Sequence, residues 1–138
     1  MAITGGCLCG KVRFTIDVEK PIAARQCWCR LCQYLSAGGG TINAIFPKDK
    51  VTVTGERALY TSVADSGAVM HRSFCPACGT PLFSEAEPRP HQIIVRAGSL
   101  DDPGLAAPAG IIWTKSAPRW ACFDPALPTT EGQPAPVK

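Results

Sequence analysis

Charge is scarce in this chain. Only 18% of its 138 residues are Asp, Glu, Lys or Arg, and Lys and Arg form no run. A nucleic-acid surface needs a basic patch to meet phosphates, so no nucleic-acid partner is expected. Apolar runs are short as well, and none approaches the ~20 residues of a helical membrane span. The opening residues, MAITGG, lack the basic and apolar regions of a secretory signal, and the expected location is the cytoplasm. Histidine is nearly missing: His71 and His91 are the only two imidazoles available as ligands or proton carriers. The 13 glycines and 13 prolines argue against long helices.

Cysteine, by contrast, is plentiful. Eight stand at positions 7, 9, 27, 29, 32, 75, 78 and 122, seven of them in three tight clusters. In a reducing compartment such clustering points to metal rather than to disulfides. Seven thiolates around two Zn²⁺ would also cancel the formal net charge of +3, which removes any electrostatic case for a polyanionic partner.

The clearest periodic stretch is Lys11–Val18. There Val12, Phe14, Ile16 and Val18 alternate with polar residues, as in a strand with one face on a core. Short strands are expected at 39–47, 50–55, 57–62, 69–74, 81–85 and 91–100, divided by turn residues, and together they argue for an all-β domain. One short helix fits around Arg30–Ser36. Seven of the 13 prolines lie from Pro103 onward, which reads as coil laid over the domain. The expected division is a single domain over residues 1–125 and a Pro-rich tail over 126–138.

CPACG at 75–79 is the most specific signal. A C-x-x-C pair followed by Gly folds into a knuckle whose N–H groups point at the sulfurs, and Gly79 lets the turn close. Two ligands need two more. Cys7 and Cys9 in GGCLCG supply them if that segment is extended, because residues i and i+2 then share a side. Such a site would tie the N-terminus to mid-chain and serve structure. Cys27, Cys29 and Cys32 in CWCRLC remain. Three protein ligands leave one tetrahedral position free, the arrangement of a catalytic zinc. Two alternatives stand beside this. Cys122 could close the second site as a fourth ligand, or it could be an inert thiol packed as a small hydrophobe.

GGCLCGKVRF, CWCRLC and RSFCPACGTPLF, in that order, together with the ending IIWTKSAPRWACFDPALPTTEGQP, resemble the glutathione-dependent formaldehyde-activating enzyme family, which includes the centromere-protein-V-like domains. The resemblance implies a β-tent, small antiparallel sheets stapled by zinc. It implies two Zn²⁺: a structural ion on Cys7, Cys9, Cys75 and Cys78, and a catalytic ion on Cys27, Cys29 and Cys32. It further implies a carbon–sulfur lyase that forms or cleaves a thiol–aldehyde adduct such as S-hydroxymethylglutathione. Its partners would be a small thiol such as glutathione and an aldehyde. The other class of function is a non-catalytic zinc module that recognises a protein partner.

Glutathione carries carboxylates, for which Arg30, Lys115 and Arg119 are the candidate cations. Trp28 is expected to pack, and Trp113 and Trp120 to pin the C-terminal coil to the sheets.

Overall fold

The computed structural model describes residues 2–137. Ten strands and one short helix follow in the order β1 Ile3–Gly6, β2 Arg13–Ile16, β3 Ala23–Cys27, α1 Arg30–Leu35, β4 Thr41–Pro47, β5 Val51–Thr54, β6 Ala58–Val63, β7 Val69–Phe74, β8 Pro81–Ala86, β9 Gln92–Arg96 and β10 Ile111–Ile112. They form two sheets. A three-stranded sheet has the order β1-β2-β5, and a seven-stranded sheet has the order β10-β3-β4-β9-β8-β7-β6. The all-β architecture expected from the strand series is therefore present. Nearly every pairing is antiparallel; β10 against β3 is parallel.

Alternation builds the core. On β2 the pattern is exposed, buried, exposed, buried, with Phe14 and Ile16 turned inward. Ala44 and Phe46 on β4, Ile93 and Val95 on β9, and Phe83 on β8 meet them from the large sheet. The Phe14 and Phe83 rings contact edge to face, with centroids 5.0 Å apart, at the centre of this layer. Truncating either ring to Ala removes about 3–5 kcal/mol. Arg13 and Asp101 lock the small sheet at its rim with paired hydrogen bonds of 3.1 and 2.5 Å.

Because side chains alternate, the large sheet has a second face. Its residues are Arg25 and Cys27 on β3, Asn43 and Ile45 on β4, and Ile94 and Arg96 on β9. Ser84 on β8 and Met70 and Arg72 on β7 continue it, and all nine line one cavity. In register, Arg25 lies opposite Asn43, and Asn43 opposite Arg96. Arg72 lies opposite Ser84. One face of the sheet thus serves folding and the other forms a polar floor.

The segment after β10 closes the edge of this floor. Ile111 N–H donates to Pro128 O at 3.0 Å and Thr130 N–H to Ile111 O at 2.9 Å. Trp113 Nε1 donates to Gln133 Oε1 at 2.9 Å, so this indole does pin the C-terminal coil. Gln92 Nε2 reaches Val137 O at 2.9 Å. Residues 128–137, within the stretch read as a tail, are thus bonded to the sheet at several points.

Candidate metal centres

Seven of the eight cysteines gather into two groups, each with its sulfurs within 4.8 Å of one another. The first group is Cys7, Cys9, Cys75 and Cys78. The second knuckle has the expected form: Ala77 and Cys78 N–H groups each point at Cys75 Sγ, at 3.4 Å. Gly79 N–H donates to Cys75 O, and Gly79 takes φ +78°, open to glycine without a Cβ penalty.

The first knuckle differs from expectation. Cys7 and Cys9 do not lie on an extended segment. They sit in the β1–β2 turn, closed by Gly10 N–H to Cys7 O at 3.1 Å and Cys7 N–H to Val12 O at 3.0 Å. Gly10 at φ +82° permits the reversal. The sulfurs converge because the turn folds back, not because the residues alternate. Thr80 joins the two knuckles, a contact that spacing alone does not reveal. Its Oγ1 accepts from Leu8 N–H at 3.1 Å and lies 3.2 Å from Cys78 Sγ. That hydroxyl, with the Cys9 backbone, draws the Cys78 thiol down to about 5. Cys9 behaves oppositely: the Lys11 N–H pulls it down, but burial and the other thiols outweigh this and push it up to about 11.

The second group is Cys27, Cys29 and Cys32, all buried. Cys27 ends β3. Cys29 caps α1, its sulfur accepting from Cys32 N–H at 3.3 Å, and the first turn of the helix returns Cys32 to the other two. Cys32 is driven down to about 2, first by hydrogen bonds from the Cys27 and Cys29 thiols and then by the positive charge of Arg96. Hydrogen bonds to Cys29 and Cys32, with burial, push Cys27 up. The three thiols compete, and Cys32 is the one favoured as thiolate.

Further ionisation in so small a space requires a cation among them. The donor chemistry of both groups therefore fits a thiophilic divalent ion: all-sulfur sets, close together, already supplied with N–H donors that favour thiolate.

Cys122 joins neither group. It is exposed and makes only a long 3.8 Å contact with Trp120 O, so it is neither a fourth ligand nor a core thiol. Trp28 packs, as expected, edge-on to Trp120 and Phe123 at 6.2 and 6.0 Å. Its Nε1 is buried without a partner.

The three-cysteine group opens onto the cavity over the polar floor, a space of about 80 Å³. Trp113 lines it from a left-handed backbone conformation, φ +58°. Its cations are Arg25, Arg72, Arg89 and Arg96. Arg30, Lys115 and Arg119 are not in this lining. Arg30 bonds Gln33 Oε1 at 2.6 Å and lies over the Tyr34 ring, and Lys115 lies over the Trp113 ring. The physical reason is that these cations are engaged elsewhere, Arg30 by Gln33 and Tyr34 and Lys115 by the face of Trp113. The four arginines that do line the cavity escaped sequence reasoning. Their one signal was an arginine inside an apolar strand, as in IIVRAG. Both ring nitrogens of His71 are engaged, by Thr61 at 2.9 Å and by Glu87 at 2.8 Å, and neither histidine lines the cavity.

Two folded-together sheets, a four-thiol knuckle pair and a three-thiol group facing a cavity define a cysteine-rich β-protein with two thiol groups that could hold metal ions. The particular family is shown by comparison with known proteins. The chain belongs to the glutathione-dependent formaldehyde-activating enzyme family, whose model matches residues 2–116. It is 30% identical over 112 residues to a Halomonas elongata protein named "Putative glutathione-dependent formaldehyde-activating enzyme", covering 78% of this chain and 71% of that one. A crystal structure of a Rhodobacter sphaeroides protein shares the fold, with a TM-score of 0.58 at 24% identity over 71% of this chain and 87% of that one. Among the described residues no helix is long and apolar enough to cross a membrane.

Proposed function

We propose that the protein is a zinc-dependent carbon–sulfur lyase of the cytoplasm that forms or cleaves a thiol–aldehyde adduct such as S-hydroxymethylglutathione. One observation carries this reading. Of the two thiol groups, the four-membered one supplies a complete tetrahedral set, whereas the three-membered one faces a cavity and has no fourth donor among the described residues. All eight cysteines are free of disulfides, which suits a reducing compartment.

Cys7, Cys9, Cys75 and Cys78 would hold a structural Zn²⁺, and Cys27, Cys29 and Cys32 a catalytic one. The catalytic ion, when bound, would supply a Lewis-acidic place that holds an incoming thiol as its thiolate. The chain's own residues do the rest. Arg25 and Arg89, the less buried cavity arginines, take the carboxylates of the thiol. Trp113 and Ile112 exclude water from the sulfur side. Asp65, the one carboxylate in the lining, takes the thiol proton on its side-chain oxygen and returns it to the carbonyl oxygen as the S–C bond forms. Alignment of thiol and aldehyde in one small space supplies effective concentration. The same group without a visiting ligand would make the protein a metal-stapled module.

The test has two parts. Metal analysis should find two zinc ions per chain. Magnetisation-transfer NMR with ¹³C-formaldehyde and glutathione should show faster exchange between hydrate and adduct when the protein is added. Two bound zincs with no acceleration over buffer would refute the enzyme.

A further inference from the structure

Resting on that reading, we infer that Asn43 is a catalytic residue: its side-chain amide donates from Nδ2 to the formaldehyde oxygen and stabilises the negative charge that gathers there as the S–C bond forms.

Asn43 is the one asparagine in 138 residues. It stands inside β4 between Ile42 and Ala44, and it is only 8% exposed. A buried amide is costly unless its polar atoms are met. One end of this amide is met within the protein, where Arg96 Nη1 donates to Oδ1. A guanidinium cannot accept, so this bond fixes which end of the amide is oxygen. Nδ2 is left with two N–H donors and, among the described residues, no acceptor. It is not one of the polar atoms sealed from solvent, and Asn43 lines the cavity. The free donors open onto that space.

Position brings the amide to the sulfurs. Cys27 lies opposite Thr41, and Arg25 opposite Asn43. Cys27 and Asn43 are diagonal neighbours on one face of adjacent strands, about 7–8 Å apart. Both side chains are short and line the same cavity of about 80 Å³. Such a space holds a few waters and suits a one-carbon carbonyl. Formaldehyde set between the two residues presents carbon to a thiol at the cysteine group and oxygen to Nδ2, because those are the ends of its dipole.

Arg96 acts through the amide and does not touch the aldehyde. Its charge at Oδ1 draws electrons from Nδ2 and strengthens the N–H donors, since hydrogen bonds in a chain polarise one another. A donor held in place before the reaction is most effective where charge develops. The step is R–SH and H₂C=O to R–S–CH₂OH. The S–C bond forms, the carbonyl π pair moves to oxygen beside the amide, and the proton carried by Asp65 ends there. Nothing is oxidised or reduced.

The experiment uses the zinc-loaded full chain with glutathione and ¹³C-formaldehyde in the exchange assay above. Asn43→Asp has the same shape and still accepts from Arg96, but it offers no N–H. Asn43→Ala offers no N–H and adds no charge. Each should lower the exchange rate at saturating substrate by about 10²–10³-fold, the effect of one lost oxyanion donor, and leave the KM for glutathione within threefold. A second readout needs no turnover. In ¹⁵N-labelled protein the asparagine side-chain signal, identified by its loss in Asn43→Asp, should move downfield in ¹H when formamide, an unreactive carbonyl of similar size, is added. A residue that only partners Arg96 would be replaced by Asp without loss of rate. Full activity in Asn43→Asp would overturn the inference and leave the lyase standing. So would a loss confined to Asn43→Asp, which traces to its charge, or a side-chain signal unmoved by molar formamide. No exchange by the wild type would overturn the lyase and the inference together.

Discussion

Removing one knuckle should cost the protein far more than removing the candidate catalytic ligands, and the structure says by how much. The four-thiol group joins the β1–β2 turn to the β7–β8 turn; Cys9 and Cys75 are 66 residues apart, with sulfurs at 3.7 Å. Cross-linking a loop of that length takes about 4 kcal/mol of chain entropy out of the unfolded state. The three-thiol group closes only a local bend, with Cys29 and Cys32 three residues apart, so it restrains little.

Against a typical net stability of about 5–15 kcal/mol, loss of the first tie is severe. The variant Cys75→Ser/Cys78→Ser should lower the urea midpoint by roughly 2 M, taking an m-value of about 2 kcal/mol/M, or fail to fold. Cys29→Ser/Cys32→Ser should shift the midpoint by less than half as much while losing one metal. Equilibrium urea unfolding followed by tryptophan fluorescence, with metal counted on the same samples, decides between them. Equal losses from the two variants, or an unchanged midpoint in a Cys75→Ser/Cys78→Ser protein that has lost its ion, would refute the division into a fold-holding and a working site.

Other outcomes follow from single contacts. Cys122 is the exposed thiol outside both groups, so the metal-loaded native protein should show one fast-reacting thiol, and Cys122→Ser should abolish it while retaining both ions. A methyl at Gly5 would run into the Phe14 ring and the Ser99 carbonyl where the small sheet crosses the core, so Gly5→Ala should destabilise by about 1–3 kcal/mol in the same unfolding assay.

The Arg13 hydrogen bonds hold the Asp101 carboxyl below its usual value, with Thr4 assisting. This stabilisation is complete above the unfolded carboxylate pKa of about 3.9 and is lost as pH falls through the lower folded value. Both side chains are 47% exposed, so Asp101→Asn should cost under about 1 kcal/mol at pH 6, and the gap to wild type should close near pH 2.

Much of this was legible in the linear order of residues. Alternation fixed the inward face of Arg13–Ile16, and the knuckle at Cys75–Gly79 formed as its spacing demands. The helix at Arg30–Leu35 appeared where the CWCRLC turn leads. Each of these rests on neighbours in sequence, whose geometry the backbone sets. The cysteine partition followed from counting ligands, because a soft ion requires a fixed number of sulfurs.

The charged floor was not legible. Arg25, Arg72 and Arg96 come from strands spread over 72 residues, and they share a surface only through the β3-β4-β9-β8-β7 order. Arg30, Lys115 and Arg119 drew notice because they stood near cysteines or tryptophans in sequence, yet none of them lines the cavity. The sequence by itself determined which sulfurs gather into groups that could hold metal, since their spacing is local chemistry. Tertiary structure alone decided which charges face that metal, since strand register brings together residues that no spacing along the chain connects.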